Sequence, residues 1–427
     1  MEKSVLIQRR DRAMGPAYRL FYDEPVHLVR GTGVWLHDTD GRRFLDCYNN
    51  VASVGHCHPR VVAALGEQAA LLNTHTRYLN ERIVEYAERL SRTLPPGLEV
   101  CMFACSGTEA NDLAFRIARA VSGNEGAIVM ENAYHGTSST VFQLSPEDCP
   151  AGDRPPFVET VAAPDGYRGE YRYGDPERGG AYASLVDGAI DRLRASGCRP
   201  AMFISDNIFS SNGILTPPPE YLQEIYRRVR AAGGLVVADE VQSGLCRLGD
   251  HFWAFEDSAV VPDIVTAGKP LGDGHPLSAV VTTQEIASAF AKRYHYFNTF
   301  GGNPVSAAVG LAVLDVIEDE QILHNVNDTG NYLRQGLLEL SNRFECIGDV
   351  RGKGLFYGVE LVADRASQAP AKEAAARVRE YLRQNGVLLS VTGPHNNVIK
   401  IRPPMVFSRS HADLLLETLE NALTCLN

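Results

Sequence analysis

The chain has 427 residues, 44% hydrophobic and 22% charged, with a formal net charge of −11 at pH 7. That length exceeds one ordinary core and predicts two or three domains, while the acidic balance, with no basic run, argues against a nucleic-acid surface. No apolar stretch is long enough to span a membrane, residues 1–10 lack a signal-peptide core, and nine scattered cysteines point to reduced thiols in the cytoplasm.

In chain order, residues 33–46 read as a hairpin. Val100-Cys-Met-Phe-Ala104 reads as a strand, followed by a helix over 108–121 with Thr108 and Glu109 at its start. Ala127-Ile-Val-Met-Glu131 is a further strand. Residues 145–182, rich in Pro, Gly, Asp and Arg, read as a long surface excursion. After the strand Ala201-Met-Phe-Ile-Ser205, a helix over 221–232 is closed by Gly233-Gly234 and leads into a strand ending at Asp239. Ser278-Ala-Val-Val-Thr282 is another strand. Alternation of apolar runs with helical patterns across 71–315 is the signature of a mainly parallel sheet. Beyond it, Leu355-Phe-Tyr-Gly-Val-Glu-Leu361 and Val398-Ile-Lys-Ile-Arg402 alternate like half-buried strands. Residues 371–384 and 412–423 pattern as amphipathic helices, the second after a Ser410-x-x-Asp413 start signal. The expected fold is α/β: a large domain over 71–315 and a smaller α+β domain built from 1–70 and 316–427.

Two segments carry the clearest chemistry. Leu235-Val-Val-Ala-Asp239-Glu240-Val-Gln242 and Pro262-Asp-Ile-Val-Thr-Ala-Gly-Lys269 are apolar runs that end in charge. Such runs are buried parallel strands, and ligands bind beyond their carboxyl ends. An acid and a lysine facing one crevice is the arrangement that holds pyridoxal phosphate, with the lysine linked to its aldehyde and the acid paired with the pyridinium nitrogen. Asp239 must reach solvent or meet a cation, and a salt bridge to Arg247 is the ordinary alternative. Lys269 sits in an apolar, glycine-rich setting where desolvation lowers its pKa and frees its amine. A solvated loop lysine is the ordinary alternative there.

The remaining motifs are weaker singly. Ser106-Gly107-Thr108-Glu109 lets backbone N–H groups approach a phosphate at a helix start, although a plain N-cap explains it as well. Tyr134-His135-Gly136 offers an aromatic to stack on a planar cofactor, or simply a surface turn. Asn298-Thr299-Phe-Gly-Gly-Asn-Pro304 supplies a hydroxyl and close backbone approach, or a tight turn. His56-Cys57-His58 has no further ligands nearby and reads as packing, so no metal is expected. Gly352-Lys-Gly354 precedes its strand instead of following one, which excludes a dinucleotide loop.

In this order, Gly55-His-Cys-His-Pro59, Ser106-Gly-Thr-Glu-Ala-Asn111, Asp239-Glu-Val-Gln242, Lys269 and Thr299-Phe-Gly-Gly-Asn-Pro304 resemble the class III aminotransferases, fold-type I pyridoxal phosphate enzymes. The resemblance covers nearly the whole chain. It implies a homodimer, or a dimer of dimers, with the site at the subunit interface. It further implies that Lys269 carries the cofactor, Asp239 pairs with its ring nitrogen, Gln242 contacts the ring hydroxyl and Tyr134 covers the ring. Ser106, Gly107 and Thr108 would hold the phosphate with Thr299 of the other subunit, and His135 and Asp206 would complete the cofactor site. Within the family, Asn49-Asn50-Val-Ala-Ser-Val-Gly-His-Cys-His-Pro59, Leu72-Asn-Thr-His-Thr-Arg77, Tyr296-Phe-Asn-Thr-Phe-Gly-Gly-Asn-Pro304 and Gly393-Pro-His-Asn-Asn-Val398 resemble ethanolamine-phosphate phospho-lyases and related aminophosphonate ammonia-lyases.

The chain departs from the family at Ile204-Ser-Asp206-Asn-Ile-Phe-Ser-Ser-Asn-Gly213, where glutamate, proline and a glycine-rich turn are usual. It departs again at Lys400, where many family transaminases place an arginine for the substrate α-carboxylate. A lysine is a point charge and cannot reproduce that bidentate fork. Lys400 and Arg402 would share one strand face, and with Arg77, Tyr48 and Asn50 they form the expected substrate site, with a structural Arg402 and a surface Arg77 as the ordinary alternative. The expected substrate is a primary amine bearing phosphate or phosphonate. The expected reaction is elimination of phosphate or hydroxyl to give an aldehyde and ammonia, with Lys269 moving the proton. The alternative is an ω-amine:2-oxo acid transaminase. A binding protein without turnover is the third reading, opposed by the intact Asp239, Gln242 and Lys269.

Overall fold

The structure, a computed structural model, describes residues 2–426. Three strands near the amino terminus are β1 Leu28–Thr32, β2 Trp35–Asp38 and β3 Arg43–Asp46. The middle of the chain supplies β4 Val100–Ala104, β5 Gly126–Met130, β6 Val158–Val161, β7 Pro200–Asp206, β8 Leu235–Asp239, β9 Ile264–Ala267 and β10 Ser278–Thr282. The carboxyl third adds β11 Ile347–Lys353, β12 Phe356–Leu361, β13 Val387–Leu388, β14 Ser390–Thr392 and β15 Val398–Ile401.

The seven middle strands form one sheet in the order β4-β10-β9-β8-β7-β5-β6. Strands β9, β8, β7, β5 and β6 run parallel, and β10 alone runs against its two neighbours. Every residue of β5, β9 and β10 is buried, because helices cover both faces. The expected mainly parallel α/β architecture is therefore present. Its helices include Gly107–Ser122, whose buried stripe of Ala110, Leu113, Ala114 and Ile117 packs on the sheet.

The two other sheets are four-stranded, β1-β2-β3-β13 and β11-β12-β15-β14. In the first, β13 lies parallel to β3 with Val387 opposite Leu45, so both ends of the chain share one sheet. The second is antiparallel throughout.

Three local expectations need correction. Residues 145–182 are not purely an excursion, since β6 lies inside them and forms the sheet edge. The short run Val158–Val161 is masked in sequence by the Pro and Gly around it. Strands β12 and β15 are buried at every position and not alternately, because both of their faces are covered. The last helix, Arg409–Thr424, begins at a capping box of Ser408 and His411, two residues before the Ser410 start read from sequence.

Candidate active site

The carboxyl ends of β7, β8 and β9 open onto a cavity of about 440 Å³. Strand β7 delivers Asp206, β8 delivers Asp239 with Gln242 just beyond it, and the turn after β9 delivers Lys269. Asp206 and Asp239 are register partners on adjacent parallel strands. The start of the helix Gly107–Ser122 brings Ser106, Gly107 and Thr108, and the loop after β5 brings Tyr134 and His135. Of the residues expected to hold the cofactor, only Thr299 lies outside this wall; it is exposed.

Asp239 is 4% exposed and held from three sides. Its carboxylate accepts from Asn111 Nδ2 at 2.9 Å, His135 Nδ1 at 2.7 Å and the Val241 N–H at 3.1 Å. Asn111 is itself fixed, donating also to the His135 carbonyl at 2.8 Å and accepting from Thr266 Oγ1 at 2.6 Å. The alternative salt bridge to Arg247 is absent: that buried guanidinium points instead at the carbonyls of Leu355 and Pro403. Asn111, the last residue of the Ser106–Asn111 motif, thus has a structural role that the motif alone does not reveal. An amide among Ala110, Leu113 and Ala114 on a helix's buried face is the signal that would have found it, because such a group needs a partner.

The opposite end is built for an anion. Ser106 caps its helix, accepting the Glu109 N–H at 3.2 Å, and the Glu109 carboxylate accepts the Cys105 N–H at 2.9 Å. First-turn N–H groups have no preceding carbonyl and carry the positive end of the helix dipole. Close approach is enforced by glycine. A Cβ at Gly136, whose φ is +141°, would lie 2.4 Å from Thr108 Oγ1, and one at Gly107 would lie 2.7 Å from Val241 Cγ1.

Lys269 Nζ makes no hydrogen bond or ion pair among the described residues. Burial, then the Arg402 cation, push its pKa from 10.5 down to about 8, against the pull of Asp239 and Asp206. A lysine free of hydrogen-bond and ion-pair partners, a fixed acid with a lone pair to spare, an N–H cradle and the Tyr134 ring, all lining one cavity, fit pyridoxal phosphate. The imidazole of His135, with Nε2 buried and unpartnered, adds a polar atom still to be satisfied.

The five expected substrate residues do not line this wall; four lie behind it or beside it. Arg402 Nη1 donates to Gln242 Oε1, and Arg402 Nε donates to the Tyr48 carbonyl at 3.2 Å. Asn50 Nδ2 donates to the Gln242 carbonyl at 3.4 Å. Lys400 and Arg402 do share a face, both lying over the Phe356 ring at 5.5 and 5.4 Å. Lys400 is buried and has no hydrogen bond or ion pair among the described residues. Burial drives its pKa well down, helped by Arg402 and opposed by Asp206 and Glu147. Glu147, which no sequence motif marks, accepts from Ser211 Oγ at 2.6 Å. Arg77 is elsewhere, exposed and stacked 3.8 Å over Phe297. His56 and His58, read as packing, each face a carboxylate: Asp46 at 2.7 Å and Glu320 at 3.0 Å.

Comparison with known proteins gives the same class. The family described as aminotransferase class-III matches residues 21–423, and the chain belongs to it. Members of that class work with pyridoxal phosphate. The chain is 45% identical, over 99% of its length and 88% of the relative's, to a Drosophila melanogaster protein named alanine–glyoxylate aminotransferase 2-like. It is 38% identical to the ethanolamine-phosphate phospho-lyase homolog 1 of Caenorhabditis elegans, covering 100% of this chain and 94% of that one. Among solved structures, an Arthrobacter phospholyase in complex with phosphoethanolamine superposes with a TM-score of 0.95 at 42% identity, over 99% of this chain and 100% of that one.

Proposed function

We propose that the protein is a pyridoxal phosphate-dependent lyase acting on a primary amine that ends in phosphate or phosphonate, with O-phosphoethanolamine as the leading substrate. The observation that carries this reading is Lys400: a buried lysine over the Phe356 ring, with no hydrogen bond or ion pair among the described residues and its charged form disfavoured until an anion meets it, where many family transaminases hold a carboxylate-gripping arginine. It suits a phosphoryl oxygen, for which a point charge suffices. The likeness to the phosphoethanolamine-bound phospholyase supports the same choice.

Bound pyridoxal phosphate supplies an aldehyde for the amine and an electron-poor ring that stores the electron pair of the adjacent carbon. Lys269 is the residue that would hold the cofactor, and its amine, when free, would take the proton from the amine-bearing carbon of the substrate, a task suited to a lysine with a depressed pKa. Asp239 would pair with the ring nitrogen, and Asn111 and His135 keep Asp239 in place. Ser106, Gly107 and Thr108 anchor the cofactor phosphate. Lys400, with Arg402, Tyr48 and Asn50 behind it, neutralises the departing group. Departure of phosphate, or of hydroxyl from a hydroxylated aminophosphonate, leaves a product that water converts to aldehyde and ammonia.

The working form is taken as a homodimer, or a pair of dimers. Tyr78 and Phe297 are exposed and pack on His75, with Arg77 over Phe297, and Leu79 and Phe300 beside them in sequence are exposed as well, apolar surface of the kind a partner covers. A second copy covering it would bring its own Thr299 and Arg77 toward the cavity. The nine unpaired cysteines suit a reducing cytoplasm, and no helix among the described residues is long and apolar enough to cross a membrane.

Incubation with O-phosphoethanolamine and no keto acid tests the reaction. A lyase releases aldehyde, ammonia and phosphate over many turnovers. A single turnover that resumes only on adding a 2-oxo acid would identify an ω-amine transaminase instead.

A further inference from the structure

We propose that Arg402 is a positioning residue for Gln242: it holds the amide oxygen and so turns the amide NH2 into the cavity as a fixed donor. The inference rests on the cofactor reading and is independent of which amine is consumed.

The argument is one of donors and acceptors. An amide offers an oxygen that accepts and a nitrogen that donates, and either can face a neighbour. A guanidinium only donates. Because Arg402 Nη1 meets the Gln242 side chain, the atom it meets is the oxygen Oε1, and the NH2 lies on the other branch of the amide. Gln242 lines the cavity, and its NH2 makes no hydrogen bond to the described residues, which leaves that branch available to a ligand there.

The arginine has no freedom to do otherwise. It is 4% exposed, its Nε is spent on the Tyr48 carbonyl, its backbone N–H donates to the Cys47 carbonyl at 2.7 Å, and its guanidinium lies between the Tyr48 and Phe356 rings at 5.1 and 5.4 Å. Gln242 is pinned from its backbone side by Asn50. The substrate-gripping role expected for Arg402 is thus narrowed, since two of its three nitrogens already serve protein acceptors.

A donor fixed in the cavity suits an acceptor oxygen on the ring, the phenolic oxygen beside the carbon that Lys269 holds. Donation to that oxygen weakens its hold on the proton of the Lys269–cofactor link. The Arg402 cation opposes a proton on the Lys269 nitrogen, while Asp239 and Asp206 favour it. Arginine at 402 therefore keeps that link easily deprotonated.

The test is a pH titration of the visible absorbance band of the cofactor-loaded protein, for the native chain and for Arg402→Met, Arg402→Lys and Gln242→Ala. Arg402→Met should raise the midpoint by about one pH unit, a tenfold change in proton affinity. Arg402→Lys, which keeps the charge, should move it less than half as far. In the Gln242→Ala background, Arg402→Met should add less than half of its own shift. If Met at 402 does not fold by thermal melting, Gln242→Ala alone must raise the midpoint and Arg402→Lys must leave it there.

A midpoint unmoved by Arg402→Met, or shifts that simply add, would overturn the proposal. A native protein that takes up no pyridoxal phosphate overturns this proposal and the cofactor reading together. A coloured protein that releases no aldehyde from phosphoethanolamine overturns only the lyase.

Discussion

Asp206 and Asp239 stand opposite each other at the ends of β7 and β8, yet their carboxylates face different duties. Asp206 turns back on its own chain, accepting the N–H groups of Ile208 at 3.1 Å and Ser210 at 3.0 Å. Asp239 is held instead by Asn111 and His135, side chains from other elements, with a lone pair left toward the cavity. Asp239→Asn should therefore lower kcat by about 10²–10³-fold with the fold intact, the scale of losing one preorganised electrostatic partner. Asp206→Asn should cost far less activity, and steady-state kinetics of the two variants side by side decide it.

Asn111 supports Asp239 through two donations and one acceptance. Asn111→Ala removes one of the three donors to Asp239 and takes a buried partner from the His135 carbonyl and Thr266 Oγ1. The expected loss is about 1–3 kcal/mol of stability, read from urea unfolding, with weaker cofactor retention on dialysis.

The depressed pKa of Lys269 sets a pH dependence. Its folded value, about 8, lies below the ordinary 10.5, so the free amine accumulates in the native protein as pH rises through 8. The rate at which the cofactor-free protein takes up pyridoxal phosphate should climb with a midpoint near about 8 and level off above it, followed by stopped-flow absorbance. The same difference means that unfolded chains bind the extra proton between the two values. Cofactor-free stability should accordingly rise with pH across that window. Lys269→Ala should remove both effects.

Lys400→Met deletes the cation without the bulk. KM for O-phosphoethanolamine should rise at least about tenfold, as expected for losing a charge-assisted hydrogen bond of about 1.5–3 kcal/mol. Lys400→Arg restores a carboxylate fork and should improve binding of 2-oxo acids while slowing elimination. Unchanged KM in the Met variant would detach Lys400 from the substrate.

Gly136→Ala tests the phosphate end. Its φ of +141° suits only glycine, and the added methyl would meet Thr108 at both Oγ1 and Cα. Cofactor affinity, measured by fluorescence titration, should fall at least about tenfold, while Gly180→Ala, where nothing lies within 4 Å, should leave it unchanged.

Much of this was legible beforehand because parallel strands announce themselves. Runs such as Val236-Val-Ala-Asp239 and Ile264-Val-Thr-Ala-Gly-Lys269 are buried and mostly apolar until they reach a charged residue, which locates the cavity mouth without coordinates. What sequence withheld were the partners. Nothing local links Asn111 to Asp239, 128 positions away, or Arg402 to Gln242, 160 away. Burial on both faces likewise erased the alternation expected of β12 and β15. Glu147 stayed hidden in a Pro- and Gly-rich stretch whose composition signals only a loop.

The pairing of β13 with β3 has a consequence for biosynthesis. Leu45 and Asp46 find their neighbours at Val387 and Leu388, so the β3 flank of the first sheet stays open until those residues have left the ribosome. Until then that flank offers unpaired N–H and C=O groups. Closing so distant a pair comes late and slowly, and the first sheet is completed only once β13 arrives.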